Sequence, residues 1–175
     1  MTELPYQYLM REGHRIAFMT FGVRSGAPIV ICHGLSANGT QFISDAEYFA
    51  QQGFFVVVPD LRGHGKSQLL EETQKLNFSI PSLADDVFAL MDHLDLEPVH
   101  FVGNSLGGVV GLQLMGKHSD RIATFASYGT AYSLNSSALA IWLLPRMLRL
   151  LGSNLVAAMG AKSTSDTPDV QAFVK

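Results

Sequence analysis

Apolar residues run along this chain in two rhythms, alternating at every second position or recurring at every third and fourth, and each rhythm names an element. Tyr6–Met10 and Ile16–Phe21, joined through Glu12-Gly13, read as an antiparallel hairpin. After a turn at Ser25-Gly-Ala-Pro28, Ile29–Cys32 is a short buried strand, and Gln41–Gln52 reads as a helix ended by Gly53. Phe54–Val58 is an uninterrupted apolar run, as suits a parallel strand covered on both faces. Residues 68–79 are polar and irregular. Ser82 is then expected to cap a helix, with Asp85 and Asp86 in the first turn, where the helix dipole favours acids. Leu83, Val87, Leu90, Met91 and Leu94 recur along one face of that helix. A strand over 99–102, a helix over 105–117 and a strand at Ile122–Tyr128 complete the series.

Strands alternating with helices predict an α/β fold, a mostly parallel, doubly wound sheet with an N-terminal antiparallel hairpin. In such sheets the site lies beyond the carboxyl ends of the strands, where His33-Gly34, Asp60 and Ser105 all fall. From about Tyr132 the character changes, and Ala138–Leu144, Met147–Leu151 and Leu155–Met159 are very apolar. The continuous runs are too short to span a bilayer, and Pro145, Arg146 and Arg149 interrupt them.

The most specific chemistry is at Val99-His-Phe-Val-Gly-Asn-Ser-Leu-Gly-Gly108, a strand running into Gly-x-Ser-x-Gly and then a helix. The pentapeptide alone arises by chance in about one chain in twenty of this length, so the flanking strand and helix carry the weight. A serine at such a corner takes a strained backbone conformation that lifts its hydroxyl clear of the sheet. Its neighbours two residues away must be nearly free of side chain, here Gly103 and Gly107. The helix behind it aims backbone N–H groups at the site. Ser105 is the candidate nucleophile.

Two further segments add to this one: Ile29-Val-Ile-Cys-His-Gly-Leu35, and Val56-Val-Val-Pro-Asp-Leu-Arg-Gly-His-Gly-Lys-Ser67. With these motifs in this order the chain resembles the N-terminal part of an α/β-hydrolase, in the group of esterases, lactonases, cofactor-free haloperoxidases and carbon–carbon bond hydrolases. The resemblance implies an α/β-hydrolase core over residues 1–131 and the start of a helical lid over 132–175, within which the chain is truncated. It implies an oxyanion hole made by the backbone N–H groups of Leu35 and Leu106. His33 is then structural, fixing the loop that presents Leu35, with Gly34, Gly103 and Gly107 as supports. Arg62 and His64 are expected to stabilise the turn after Phe54–Val58, while His93 and His14 read as surface residues. Gly107, Gly108 and Gly111 share one helix and are expected to let it approach the sheet.

The implied activity is hydrolysis of carboxylic esters, lactones or related carbonyl compounds through an acyl-serine, on a small, partly hydrophobic substrate in view of the apolar lid. Serine at 105 sets the chain apart from the dehalogenase and epoxide-hydrolase branches, which carry aspartate there. Two alternatives stand beside this. One is a carbon–carbon bond hydrolase, which Gly-Asn-Ser-Leu-Gly-Gly also resembles, and the other is a non-catalytic ligand-binding protein with a hydrolase-like pocket.

Such a serine needs a base and an acid that orients it, in the order Ser, Asp or Glu, His. Downstream of Ser105 the one histidine is His118, thirteen residues on and roughly 20 Å away along the helix axis. Asp120 lies at the wrong end of that helix, Asp166 and Asp169 fall in the expected lid, and Gly129-Thr-Ala-Tyr-Ser offers no carboxylate. The chain is therefore expected to lack triad turnover by itself, and to self-associate through the edge left after Ile122–Tyr128.

Composition narrows the partners. A net charge of −3 shows no basic excess for nucleic acid. The start, Met-Thr-Glu-Leu-Pro-Tyr, has no secretory pattern, and no membrane partner is expected. A single cysteine, Cys32, rules out a disulfide framework and points to the cytoplasm. Gly65-Lys66-Ser67 imitates the end of a phosphate-binding loop, but that motif needs glycine where this chain has Asp60. No cluster has metal-ligand spacing, and neither metal nor cofactor is expected.

Overall fold

The computed structural model describes residues 4–11, 13–69 and 77–130. Strand β1 (Gln7–Arg11) pairs antiparallel with β2 (His14–Phe21). β2 continues antiparallel onto β4 (Phe55–Pro59), and from there the pairing is parallel through β3 (Pro28–Cys32), β6 (Val99–Asn104) and β7 (Ile122–Tyr128). The order is β1-β2-β4-β3-β6-β7, with a two-residue strand β5 (Gln68–Leu69) on β2. Helices α1 (Ile43–Gln51), α2 (Ile80–His93) and α3 (Leu106–Lys117) are the crossovers that parallel pairing requires. The expected lid over 132–175 lies outside the described residues.

Alternation along the strands divides the core between two faces. Val57, Val30 and Phe101 point to the side where Leu83, Val87, Leu90 and Met91 of α2 and Val110 and Leu114 of α3 pack. Val56, Val58, Ile29 and Ile31 point to the other, beneath Phe42 and Ala46. All five residues of β4 are buried, as its unbroken apolar run requires. Each such aliphatic side chain contributes about 1.5–3 kcal/mol. A Cβ on Gly111 would lie 2.4 Å from the Phe125 ring, so α3 touches the sheet through glycine.

Three local expectations are corrected. The helix read over Gln41–Gln52 is a 3-10 turn, Gly39–Phe42, followed by α1, because Asn38 caps the turn by accepting the Thr40 N–H. Ser79, not Ser82, caps α2: it is extended, it accepts the Ser82 N–H, and Pro81 fits the first turn, where no N–H is needed. Consequently no acid occupies the first turn of α2, and Asp86 lies deeper, buried. Part of the segment read as irregular pairs as β5, where Arg15 donates to Gln68.

Candidate active site

Strand β6 ends at Asn104 and α3 begins at Leu106, so a single residue, Ser105, makes the corner, with φ +49° and ψ −110°. A non-glycine residue in that region costs about 1–3 kcal/mol and persists only where its surroundings hold it. Here they do. The Ser105 N–H donates to the Tyr128 carbonyl at 3.0 Å, and its own carbonyl accepts from Gly108 N at 3.0 Å and Val109 N at 3.2 Å. Thr130 Oγ1 donates to that carbonyl as well, at 3.2 Å.

An ordinary serine at a helix start turns its hydroxyl onto the first N–H groups. Ser105 makes no such bond, and the Leu106 N–H, first in the helix, has no intrahelical partner to find. Three glycines permit the corner. A Cβ on Gly103 would meet Gly108 N at 2.5 Å, and one on Gly107 would meet the Cys32 carbonyl oxygen at 2.3 Å. One on Gly34 would meet Asn104 Oδ1 at 2.8 Å and Ser105 Cβ at 3.3 Å, so the loop after β3 lies directly against the serine.

That loop is fixed by His33, which is fully buried. Its Nε2 accepts the Leu61 N–H at 2.9 Å, which leaves the ring proton on Nδ1 to donate to the Gly34 carbonyl at 2.8 Å. Burial lowers its pKa below the ordinary histidine value, partly opposed by the Gly34 bond. Both nitrogens are engaged, so His33 has no lone pair for a substrate proton. Leu35, two residues on, is 70% exposed, and its N–H makes no hydrogen bond among the described residues.

Asp60, at the carboxyl end of β4, is wholly buried. It accepts Gly39 N at 2.6 Å on Oδ1 and Lys66 N at 2.7 Å on Oδ2. Burial and the Asp60 charge push the Tyr6 phenol up to about 12. His64 Nδ1 donates to the Arg62 carbonyl at 3.0 Å within the same turn, the stabilising contact expected of it.

One network was not legible in the chain. Arg62 donates twice to Asp86, Nε to Oδ2 at 2.5 Å and Nη2 to Oδ1 at 2.6 Å, and once more to the Asn77 carbonyl at 2.9 Å. His14 Nε2 reaches the same carboxylate at 3.2 Å, and Arg11 Nε lies 3.5 Å from it. His14 is therefore a core residue, not the surface residue expected, because α2 closes over the hairpin at that point. Only a contact between residues seventy-two apart could have revealed it.

His118 ends α3 at the pole opposite Ser105, stacked on Phe88 with ring centroids 3.9 Å apart. Asp120 follows in a 3-10 turn at Ser119–Arg121, so neither residue is brought to the serine. Asp166 and Asp169 lie outside the described residues. His93 is exposed. Among the described residues no group of three histidines, cysteines or acids could hold a metal, and no helix is long and apolar enough to cross a membrane.

The model of the alpha/beta hydrolase fold family matches residues 27–173. An uncharacterised protein of Mycobacterium tuberculosis is 31% identical over 182 residues, which cover 94% of this chain and 51% of that protein. An N-acyl homoserine lactone degrading enzyme of solved structure is 28% identical with a TM-score of 0.78, over 96% of this chain and 63% of its own. The enol-lactonase from Burkholderia xenovorans is 27% identical with a TM-score of 0.78, over 96% and 65% of the two chains. The chain spans about half the length of the curated relatives it matches.

Proposed function

The chain belongs to the alpha/beta hydrolase family, and we propose from that premise that it carries the nucleophile and oxyanion hole of a serine hydrolase. Its substrates are carboxylic esters, lactones or related carbonyl compounds, small and partly hydrophobic. The observation that carries this reading is the Ser105 backbone, held at φ +49° between Tyr128 and α3 with its hydroxyl unspent on the helix. Such strain is kept where it aims a reacting group.

In the proposed step the Ser105 oxygen attacks the carbonyl carbon and its proton passes to a general base. The carbonyl electrons move onto oxygen, which the Leu35 and Leu106 N–H groups stabilise, each by about 3 kcal/mol. The C–O bond to the leaving alcohol then breaks as the base returns the proton. Water hydrolyses the acyl-serine by the same route in reverse. The two solved neighbours that act on lactones favour a lactone or ester within this class.

We infer that the base and its orienting acid lie outside the described residues, since His33 is spent on Leu61 and Gly34 and His118 lies at the far pole. We assign both to the full-length gene product, the relatives being about twice as long as this chain. The 175-residue chain then lacks turnover alone. We place the protein in the cytoplasm, with no nucleic-acid or membrane partner, and expect the 175-residue chain to self-associate through the side of β7 that pairs with no strand among the described residues.

The missing base also favours one other reading, a non-catalytic binding protein that keeps the pocket. A panel of aryl esters and acyl lactones separates the two. The hydrolase reading expects turnover by the full-length product that Ser105→Ala abolishes; binding without Ser105-dependent turnover overturns it.

A further inference from the structure

The oxyanion loop is a short arc strung between two anchors, and both anchors belong to one dipeptide. At its start His33 Nε2 accepts the Leu61 N–H at 2.9 Å, and at its end the Gly39 N–H donates to Asp60 Oδ1 at 2.6 Å. Between them the chain turns through Ser36 at φ +62°, braced by the bond from Ala37 N to the Gly34 carbonyl at 3.3 Å. Leu35 rides at the crest, exposed. We infer that Asp60 is a positioning residue for the reaction, setting the Leu35 N–H through the Gly39 anchor; the inference rests on the serine-hydrolase reading.

Asp60 is fit for this because its own backbone is tied to the sheet. Its N–H donates to the Ala17 carbonyl at 2.8 Å, and its carbonyl accepts Ser67 Oγ at 2.7 Å. That same Ser67 oxygen accepts Ala17 N at 2.8 Å. The carboxylate is thus carried by the sheet, and the loop is carried by the carboxylate. Its two oxygens hold separate N–H groups, Gly39 on one and Lys66 on the other. An asparagine has one acceptor oxygen where both are needed, so one of the two N–H groups must face an NH2. A Cβ on Gly65 would stand 2.1 Å from Oδ2, so the backbone at Gly65 passes directly against the carboxylate.

The test uses the full-length gene product, Asp60→Asn, and the same exchange at an exposed acid, Asp85→Asn. An oxyanion donor acts in the transition state and not in the ground state. The expected result is a fall in kcat of about 10- to 100-fold with KM within about threefold. Affinity for a trifluoromethyl ketone, whose adduct carries the oxyanion, falls by the same factor, while Asp85→Asn changes neither. A folded Asp60→Asn enzyme with unchanged kcat overturns the inference while leaving the hydrolase reading intact. A parent enzyme without Ser105-dependent turnover overturns both. Amide exchange in the unsubstituted protein covers a variant that does not fold: Gly39 must be protected like β4, and an unprotected Gly39 overturns the inference.

Discussion

Replacing Asp86 with asparagine removes the centre of the buried ionic network while changing its volume very little. The carboxylate takes two donors from Arg62 at 2.5 and 2.6 Å and a third from His14 at 3.2 Å. Asp86 and Arg62 side chains are 3% and 8% exposed, so water does not replace a lost partner. An amide offers one acceptor oxygen and turns its NH2 toward donors, which leaves a guanidinium buried without its counter-charge. Breaking such a pair costs about 3–5 kcal/mol, against at most about 1 kcal/mol for an exposed pair such as Lys117–Asp85. The full-length product should therefore lose about 1.5–2.5 M from its urea midpoint, with m near 2 kcal/mol/M. Removing both ends, Arg62→Met with Asp86→Leu, should cost less than Asp86→Leu alone, since no charge is then orphaned at that pair. Asp86→Asn within about 1 kcal/mol of the parent refutes the reasoning, because it would mean that the network is solvated or that Arg62 has another anion.

His33 makes stability depend on pH. Unfolded it titrates near 6.5, whereas folded its pKa is lowered, so between the two values the unfolded chain binds more protons and stability rises with pH. Stability is expected to be full above about pH 7 and to fall as pH drops through the ordinary histidine range. His33→Gln should flatten that limb of a urea-midpoint profile; an unchanged profile contradicts the assignment. The 175-residue chain is also expected to self-associate, because β7 pairs only with β6 among the described residues and its side chains are mostly exposed. Ala126→Lys on that strand should shift it toward monomer, and a sharp monomer peak for the parent at on the order of tens of micromolar counts against it.

The chain discloses what is local. The run Val56–Val58 disclosed a buried parallel strand, the spacing of Leu83, Val87, Leu90 and Met91 a helix face, and Gly103 to Gly107 the corner at Ser105. It did not disclose Ser79 as the cap, because Ser79 and Ser82 both suit the role and the choice turns on where Pro81 enters the helix. His14 and Asp86 were misread because their meaning lies in each other, across two elements that no periodicity connects. Asp60 showed only its place at a strand end. Its hold on Gly39 and Lys66 emerges when two loops converge.

Labelling of Ser105 by a fluorophosphonate, read by intact mass and site mapping, tests the central claim most directly. The 175-residue chain and the full-length gene product are treated side by side, each with its Ser105→Ala variant. The account predicts rapid, single-site labelling of the full-length product at Ser105, lost in Ser105→Ala, and little labelling of the shorter chain. A natively folded full-length product whose Ser105 does not label contradicts it, since the hydroxyl is then not activated and the strained corner serves something other than acyl transfer.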